Sequence, residues 1–127
     1  MTRLSRTRYA FDGPFAAYLR GVTEQWLLIA PAANPAILDM FADRDRKPYR
    51  DQVPWAGEFA GKYLTSAVQI LRLTGDPALK RHLKTFVARL IAHQDADGYL
   101  GPWPHRHRLT GYAPNVMNKR GSTWDAW

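Results

Sequence analysis

The chain contains no cysteine, and this absence sets the first limits on its chemistry. Without thiols there is neither a disulfide framework nor a thiolate metal site. A long apolar run is also missing: the longest, from Trp26 to Ala33, has eight residues including a proline. A transmembrane helix needs about 20 apolar residues. We therefore expect no membrane partner.

The first residues lack the pattern of a signal peptide. Met1 to Tyr9 is basic, as in such peptides, but Asp12, Gly13 and Pro14 stand where an apolar segment is required. We expect residues 1–12 to form a disordered basic leader. Because no signal peptide is visible, a cytoplasmic location is the expectation.

The charge is strongly basic but is not arranged for nucleic acid. There are 18 Lys and Arg against 11 Asp and Glu, which gives a net charge of +7. Such a balance suits a nucleic-acid binder when the cations form one stripe. Here the arginines of residues 44–50 alternate with aspartates, and the other cations are spread over predicted helix faces. A solvated surface is therefore expected, without a nucleic-acid partner.

The strongest pattern is a helical hairpin between Pro54 and His93. Apolar residues recur every three to four positions on both sides of Gly75-Asp76-Pro77, which is typical of amphipathic helices. Gly75 suits a left-handed helix end, Asp76 an N-cap and Pro77 a first helical position. The sequence therefore predicts two antiparallel helices joined by a tight turn, with a shared core.

The remainder is also predicted to be helical or irregular. We expect a helix from Pro14 to about Ala30 with Phe15, Tyr18, Leu19, Val22 and Trp26 on one face, ended by Pro31. A short helix over 35–42 and a polar surface loop over 43–53 should follow. After the hairpin, residues 95–122 form an aperiodic segment rich in Gly and Pro, a length more often functional or disordered than simply connecting. The fold class is all-α.

Four short sequence motifs, taken in their order along the chain, carry a family resemblance. They are "PWAGEFAGKYL", "TGDPAL", "QDADGYLGPW" and "TWDAW". The chain resembles, from about Phe15 to Trp127, the N-terminal part of the β-L-arabinofuranosidase-like glycoside hydrolases, family 127 and its relatives. The resemblance implies the first hairpins of an (α/α)6 toroid, with residues 13–127 as a C-terminally truncated part of the catalytic domain. It also implies that the catalytic glutamate and a zinc-binding cysteine cluster follow beyond Trp127, so no catalytic or metal residue is assigned in this chain.

Two tryptophans and a glutamate are the first candidates for sugar contacts. Trp55 precedes a helix, and a flat indole there could stack on a sugar ring or plug the end of the core. Trp103 stands between two prolines in a Gly-rich loop, which favours a ligand-facing or loop-packing role over burial in the helical core. Glu58, in the first turn of a helix, suits a hydrogen-bonding anion better than a general acid, or is a helix-start carboxylate alone.

The final residues supply three further candidates, Trp124, Asp125 and Trp127. A carboxylate between aromatic rings could hold sugar hydroxyls, or Asp125 could cap a following helix.

His105 and His107 have a metal-like spacing, but adjacent arginines oppose a cation and the sequence offers no clear third ligand. His82 and His93 are expected at the boundary of the helical core.

The function expected from these patterns is a carbohydrate-binding wall of a glycoside hydrolase, inactive by itself. A non-catalytic helical domain that binds a protein, or part of another sugar-acting toroid enzyme such as a lyase or epimerase, are the alternatives. Because each hairpin of a toroid packs on two neighbours, we also expect open apolar faces and self-association.

Overall fold

The computed structural model of the chain describes residues 10–117 and residue 123. In that part the regular elements are helical, as predicted: α1 is Gly13–Val22, α2 is Ala30–Ala33, α3 is Ala36–Ala42, α4 is Glu58–Thr74 and α5 is Pro77–Ala92. A π-helical turn, Thr23–Leu27, follows α1, and a 3-10 turn, His105–His107, lies in the segment after α5. Trp124, Asp125 and Trp127 lie outside the described residues.

The hairpin forms as the sequence predicts. Gly75 ends α4 in the left-handed conformation with φ of 66°, and its N–H bonds to the carbonyl of Leu71. Asp76 caps α5 by accepting a 2.7 Å hydrogen bond from the backbone N–H of Leu79. The carboxylate satisfies one of the otherwise unpaired donors at the helix start. A short turn therefore reverses the chain between α4 and α5.

The core lies between the hairpin and the shorter helices before it. Residues from α4 and α5 pack with Leu27 and with the apolar face of α3. The core members with the least exposed surface are Leu27, Leu38, Ala67 and Leu79. The predicted stripes of both hairpin helices are thus the buried ones, although Phe59, Val68 and Ile91 at their edges stay exposed.

The prediction of one helix from Pro14 to Ala30 is wrong, because the π-helical turn interrupts it. Thr23 is buried and its hydroxyl donates to the Leu19 carbonyl at 2.9 Å. Serine and threonine that bond back to the previous turn often bend helices. Pro31 does not end this helix; it lies in the first turn of α2, where its missing N–H is tolerated.

The same turn changes which residues of the first helical region face the core. A π-helical turn holds one more residue than an α-helical turn. This shift places Leu27 in the core, fully buried, while Trp26 remains 50% exposed. Leu19 is buried, but Phe15 and Tyr18 are exposed by 52% and 67%. The expected face of Phe15, Tyr18, Leu19, Val22 and Trp26 is therefore split. Its aromatic members, Phe15, Tyr18 and Trp26, stay exposed.

None of the described residues forms a helix with the length and apolar character needed to cross a membrane.

The segment after α5 folds back on the loop before α4. Gln52 exchanges backbone hydrogen bonds with this segment, accepting from Met117 N–H and donating to the Asn115 carbonyl, both at 2.8 Å. Its side chain donates to the carbonyl of Pro102 at 2.9 Å. Part of the 43–53 loop is thus buried rather than purely surface.

Candidate carbohydrate groove

The loops that carry Trp55 and Trp103 meet at one end of the hairpin. A Cβ added at Gly57 would lie 3.1 Å from Cδ of Pro102, so the two loops are in direct contact. The Gly75 turn lies at the other end, because α4 leaves this end and α5 returns to it. The two tryptophan loops therefore share one end, as the predicted antiparallel hairpin requires.

A groove of about 990 Å³ opens beside this contact. One side is the first half of α4, and the other is the segment from Gly98 to Trp103 together with Leu109. Leu109 has a φ of 54°, a conformation that is uncommon for residues other than glycine, and its side chain is 71% exposed. The groove therefore has a helical side and an irregular aromatic side.

Trp103 belongs to the aromatic side but has little surface left for a ligand. It is 1% exposed and packs with Ala113 and Val116 in a small cluster separate from the helical core. This is the loop-packing role that the sequence allowed. Whatever contact the indole makes with a ligand is restricted to the edge that reaches the groove.

Glu58 provides the negative charge of the groove, and Lys62, which also lines it, provides a positive charge. Its side chain is 14% exposed, and Lys62, one helical turn later, places Nζ 2.5 Å from the carboxylate. The Lys62 side chain itself is 72% exposed. Because the carboxylate is mostly covered and its position is held by this pair, its remaining lone pairs can accept hydrogen bonds from a ligand in the groove.

Of the six residues predicted to bind sugar, the structure brings together two. Glu58 and Trp103 both line the groove, whereas Trp55, which is 38% exposed, stands outside its lining. Trp124, Asp125 and Trp127 are not among the described residues. Sequence reasoning missed Gly61, which lies on α4, and Leu109, since neither has a side chain that suggests chemistry.

An ionic cluster fixes the irregular side of the groove. Arg108, whose side chain is 7% exposed, contacts Asp95 at 2.5 Å, Asp97 at 3.0 Å and Asp45 at 3.4 Å. Its guanidinium also lies 4.6 Å from the ring centre of Tyr99, a groove residue. Hydrogen bonding from Arg108, and then from the Ala96 N–H, holds the pKa of Asp95 below its usual value. The segment is thereby tied to the loop after α3.

The segment after α5 begins with a compact turn at Asp97 and Gly98. Gly98 has a φ of 88°, and the Asp97 carboxylate accepts a 2.9 Å hydrogen bond from the Tyr99 N–H. Asp95 and Tyr99 are also joined, since the Asp95 N–H donates to the Tyr99 carbonyl at 3.0 Å. This compact turn directs Tyr99 and Leu100 towards the groove.

The cluster does not suit zinc. Ligand atoms of Asp95, Asp97 and His105 lie within 4.8 Å of one another, but His107, the other member of the pair with metal-like spacing, is not part of this group. However, the Arg108 guanidinium already binds both carboxylates, and a cation would have to displace it. The set also lacks the thiolates that the family resemblance implies for zinc. We assign no chemical step to a metal here.

Residues 14–126 match the catalytic domain of β-L-arabinofuranosidase, glycoside hydrolase family 127. The chain belongs to this family. The match spans all the described helices apart from the first residue of α1, and it includes the complete groove. Searches among curated proteins and among solved structures gave no match.

Proposed function

We propose that this family 127 chain supplies one wall of a carbohydrate site, and that the groove between α4 and the 98–103 segment is that wall. The observation that carries the proposal is the meeting of the Glu58 carboxylate with the aromatic and apolar side chains of Tyr99 and Leu100 in one groove. A sugar presents hydroxyl donors and apolar C–H faces together. The groove offers a carboxylate acceptor beside apolar and aromatic surface, which is the matching combination.

The catalytic step is proposed to lie with residues outside this sequence. Hydrolysis of a glycosidic bond generally needs two carboxylates across the scissile bond. Within the described residues that line the groove, Glu58 is the one carboxylate. The ion pair with Lys62 fixes the position of this carboxylate, and a carboxylate held in this way is suited to accepting hydrogen bonds from sugar hydroxyls.

In the toroid expected from the family, this wall would lie at one end of a ring of hairpins. Phe15, Tyr18 and Trp26 are exposed on α1 and the π-helical turn, and packing against a further hairpin would cover these aromatic side chains. The same surface favours the second candidate, a helical domain that binds a protein through this face. Sugar affinity separates the two, since a purely protein-binding domain would have none.

The proposal is tested by ligand-observed NMR with methyl β-L-arabinofuranoside and the 127-residue chain. Glu58→Gln should weaken binding about tenfold or more, because a hydrogen bond to a charged acceptor is worth about 1.5–3 kcal/mol. Glu24→Gln is the matched control: it alters the other glutamate, which is exposed in the π-helical turn. Equal affinities for the two variants would contradict a role for Glu58.

Activity is tested separately with an aryl furanoside that releases a chromophore. We expect no turnover by the chain alone. Hydrolysis that persists after purification and disappears in Glu58→Gln would show that this chain carries a catalytic carboxylate, and would overturn the proposal that it supplies binding only.

A further inference from the structure

Gly61 occupies a position where the fold itself does not require glycine. It lies inside α4, its φ is not positive, and a Cβ built there would have no neighbouring atom within 4 Å. By contrast, Gly57 is close to Pro102, and Gly75 has the left-handed φ of a helix end. Glycine weakens a helix interior relative to alanine. The fold would therefore tolerate, and even gain from, a side chain at position 61.

The space above Gly61 is the groove. Gly61 is one of its lining residues, so a side chain there would extend into the volume between α4 and the aromatic side. The Gly61 carbonyl accepts a 2.9 Å hydrogen bond from the Thr65 hydroxyl, in addition to its place in the helix. The surface at Gly61 thus presents C–H groups of the bare backbone, one turn from the Glu58 carboxylate.

We propose that Gly61 determines which sugars the groove accepts, by leaving the backbone of α4 uncovered so that the apolar face of a furanose ring can lie directly on it. The ring hydroxyls then reach Glu58. This inference rests on the proposed carbohydrate site and adds a specificity-determining residue to it. Glycine is the residue type found where a backbone must approach a ligand closely.

The test compares Gly61→Ala and Gly61→Leu with Gly21→Ala, using methyl β-L-arabinofuranoside and thermal melts of the 127-residue chain. Gly21 is the matched control, because it is also helical, would have no atom within 4 Å of an added Cβ, and lies outside the groove. Both alanine variants should melt a few degrees higher than the parent chain, since alanine favours a helix. Gly61→Ala should weaken sugar binding about tenfold, Gly61→Leu should abolish it, and Gly21→Ala should leave it unchanged.

Three outcomes would overturn the inference. If Gly61→Ala and Gly61→Leu bind the sugar as tightly as the parent, Gly61 sets no specificity, although the carbohydrate site stands. If the Gly61 variants change self-association but not sugar affinity, position 61 packs against protein instead. If the parent chain itself binds no sugar, the proposed function fails, and the role of Gly61 fails with it.

Discussion

Removing the hydroxyl of Tyr63 should destabilise the chain and also change how its stability depends on pH. Tyr63 is 4% exposed in the core, and its hydroxyl donates to the Leu27 carbonyl at 2.7 Å. Leu27 lies in the π-helical turn, so this bond joins α4 to the irregular part of the first helical region. Tyr63→Phe leaves that carbonyl without its side-chain donor. A buried polar group that loses its partner costs about 1–3 kcal/mol.

The melting temperature gives the first measurement. For a chain of this size, 1 kcal/mol corresponds to about 4 °C, so we expect Tyr63→Phe to melt about 4–12 °C lower at neutral pH. Tyr18→Phe is the control, because Tyr18 is 67% exposed and should change the melting temperature very little. Similar melting temperatures for both variants would show that the hydroxyl of Tyr63 does not hold the turn.

The alkaline range gives the second measurement. Burial raises the pKa of Tyr63 from 10.0 to about 12. Because the folded pKa is the higher one, its contribution to stability is complete below pH 10 and is lost as the pH rises towards 12. The loss amounts to at most about 2.7 kcal/mol. Relative to Tyr63→Phe, the parent chain should therefore lose its advantage between pH 10 and 12. Parallel stability curves for parent and variant across this range would refute the reasoning.

The remaining predictions concern the loop cluster, the cap and the open face. Arg108→Gln should lower the melting temperature by several degrees and Arg106→Gln should not, because Arg108 is buried among three aspartates and Arg106 is exposed. The low pKa of Asp95 stabilises the fold above the usual carboxylate pKa, and this contribution should be lost as the pH falls below 3.8. In acid melts the loss should be smaller for Arg108→Gln than for the parent, because only the hydrogen bond from the Ala96 N–H remains. Asp76→Ala should cost about 1 kcal/mol through the lost cap, as measured in urea. The chain should self-associate in light scattering, and Trp26→Gln should weaken the association; a monomer that binds no hydrophobic dye would contradict this expectation.

The hairpin could be predicted from sequence because its signals are local. Each helix repeats an apolar stripe, and Gly75, Asp76 and Pro77 have separate backbone reasons to form the turn. The interruption after α1 was not predicted. It depends on the Thr23 hydroxyl and on the burial of Leu27, and a single inserted residue in a helix does not alter composition or propensity enough to be read from the chain.

The candidate site was predicted in part. That the loops before α4 and after α5 share one end follows from the topology of a hairpin, so Glu58 and Trp103 could be placed together in advance. The burial of Trp103 and the tie through Arg108 depend on contacts between residues far apart in the chain, which periodicity does not show. Gly61 was missed because its role comes from the space above it, and only the folded chain defines that space.

The most direct test of the central claim is a map of backbone amide shifts in the isotopically labelled chain during titration with methyl β-L-arabinofuranoside. If the groove is a carbohydrate wall, saturable shifts should be concentrated in residues 57–66 and 98–103, with Glu58 among the largest. The exposed face around Trp26, and the Gly75 turn at the other end of the hairpin, should be unaffected. Saturable shifts confined to that face, or no shifts at saturating sugar, would contradict the account.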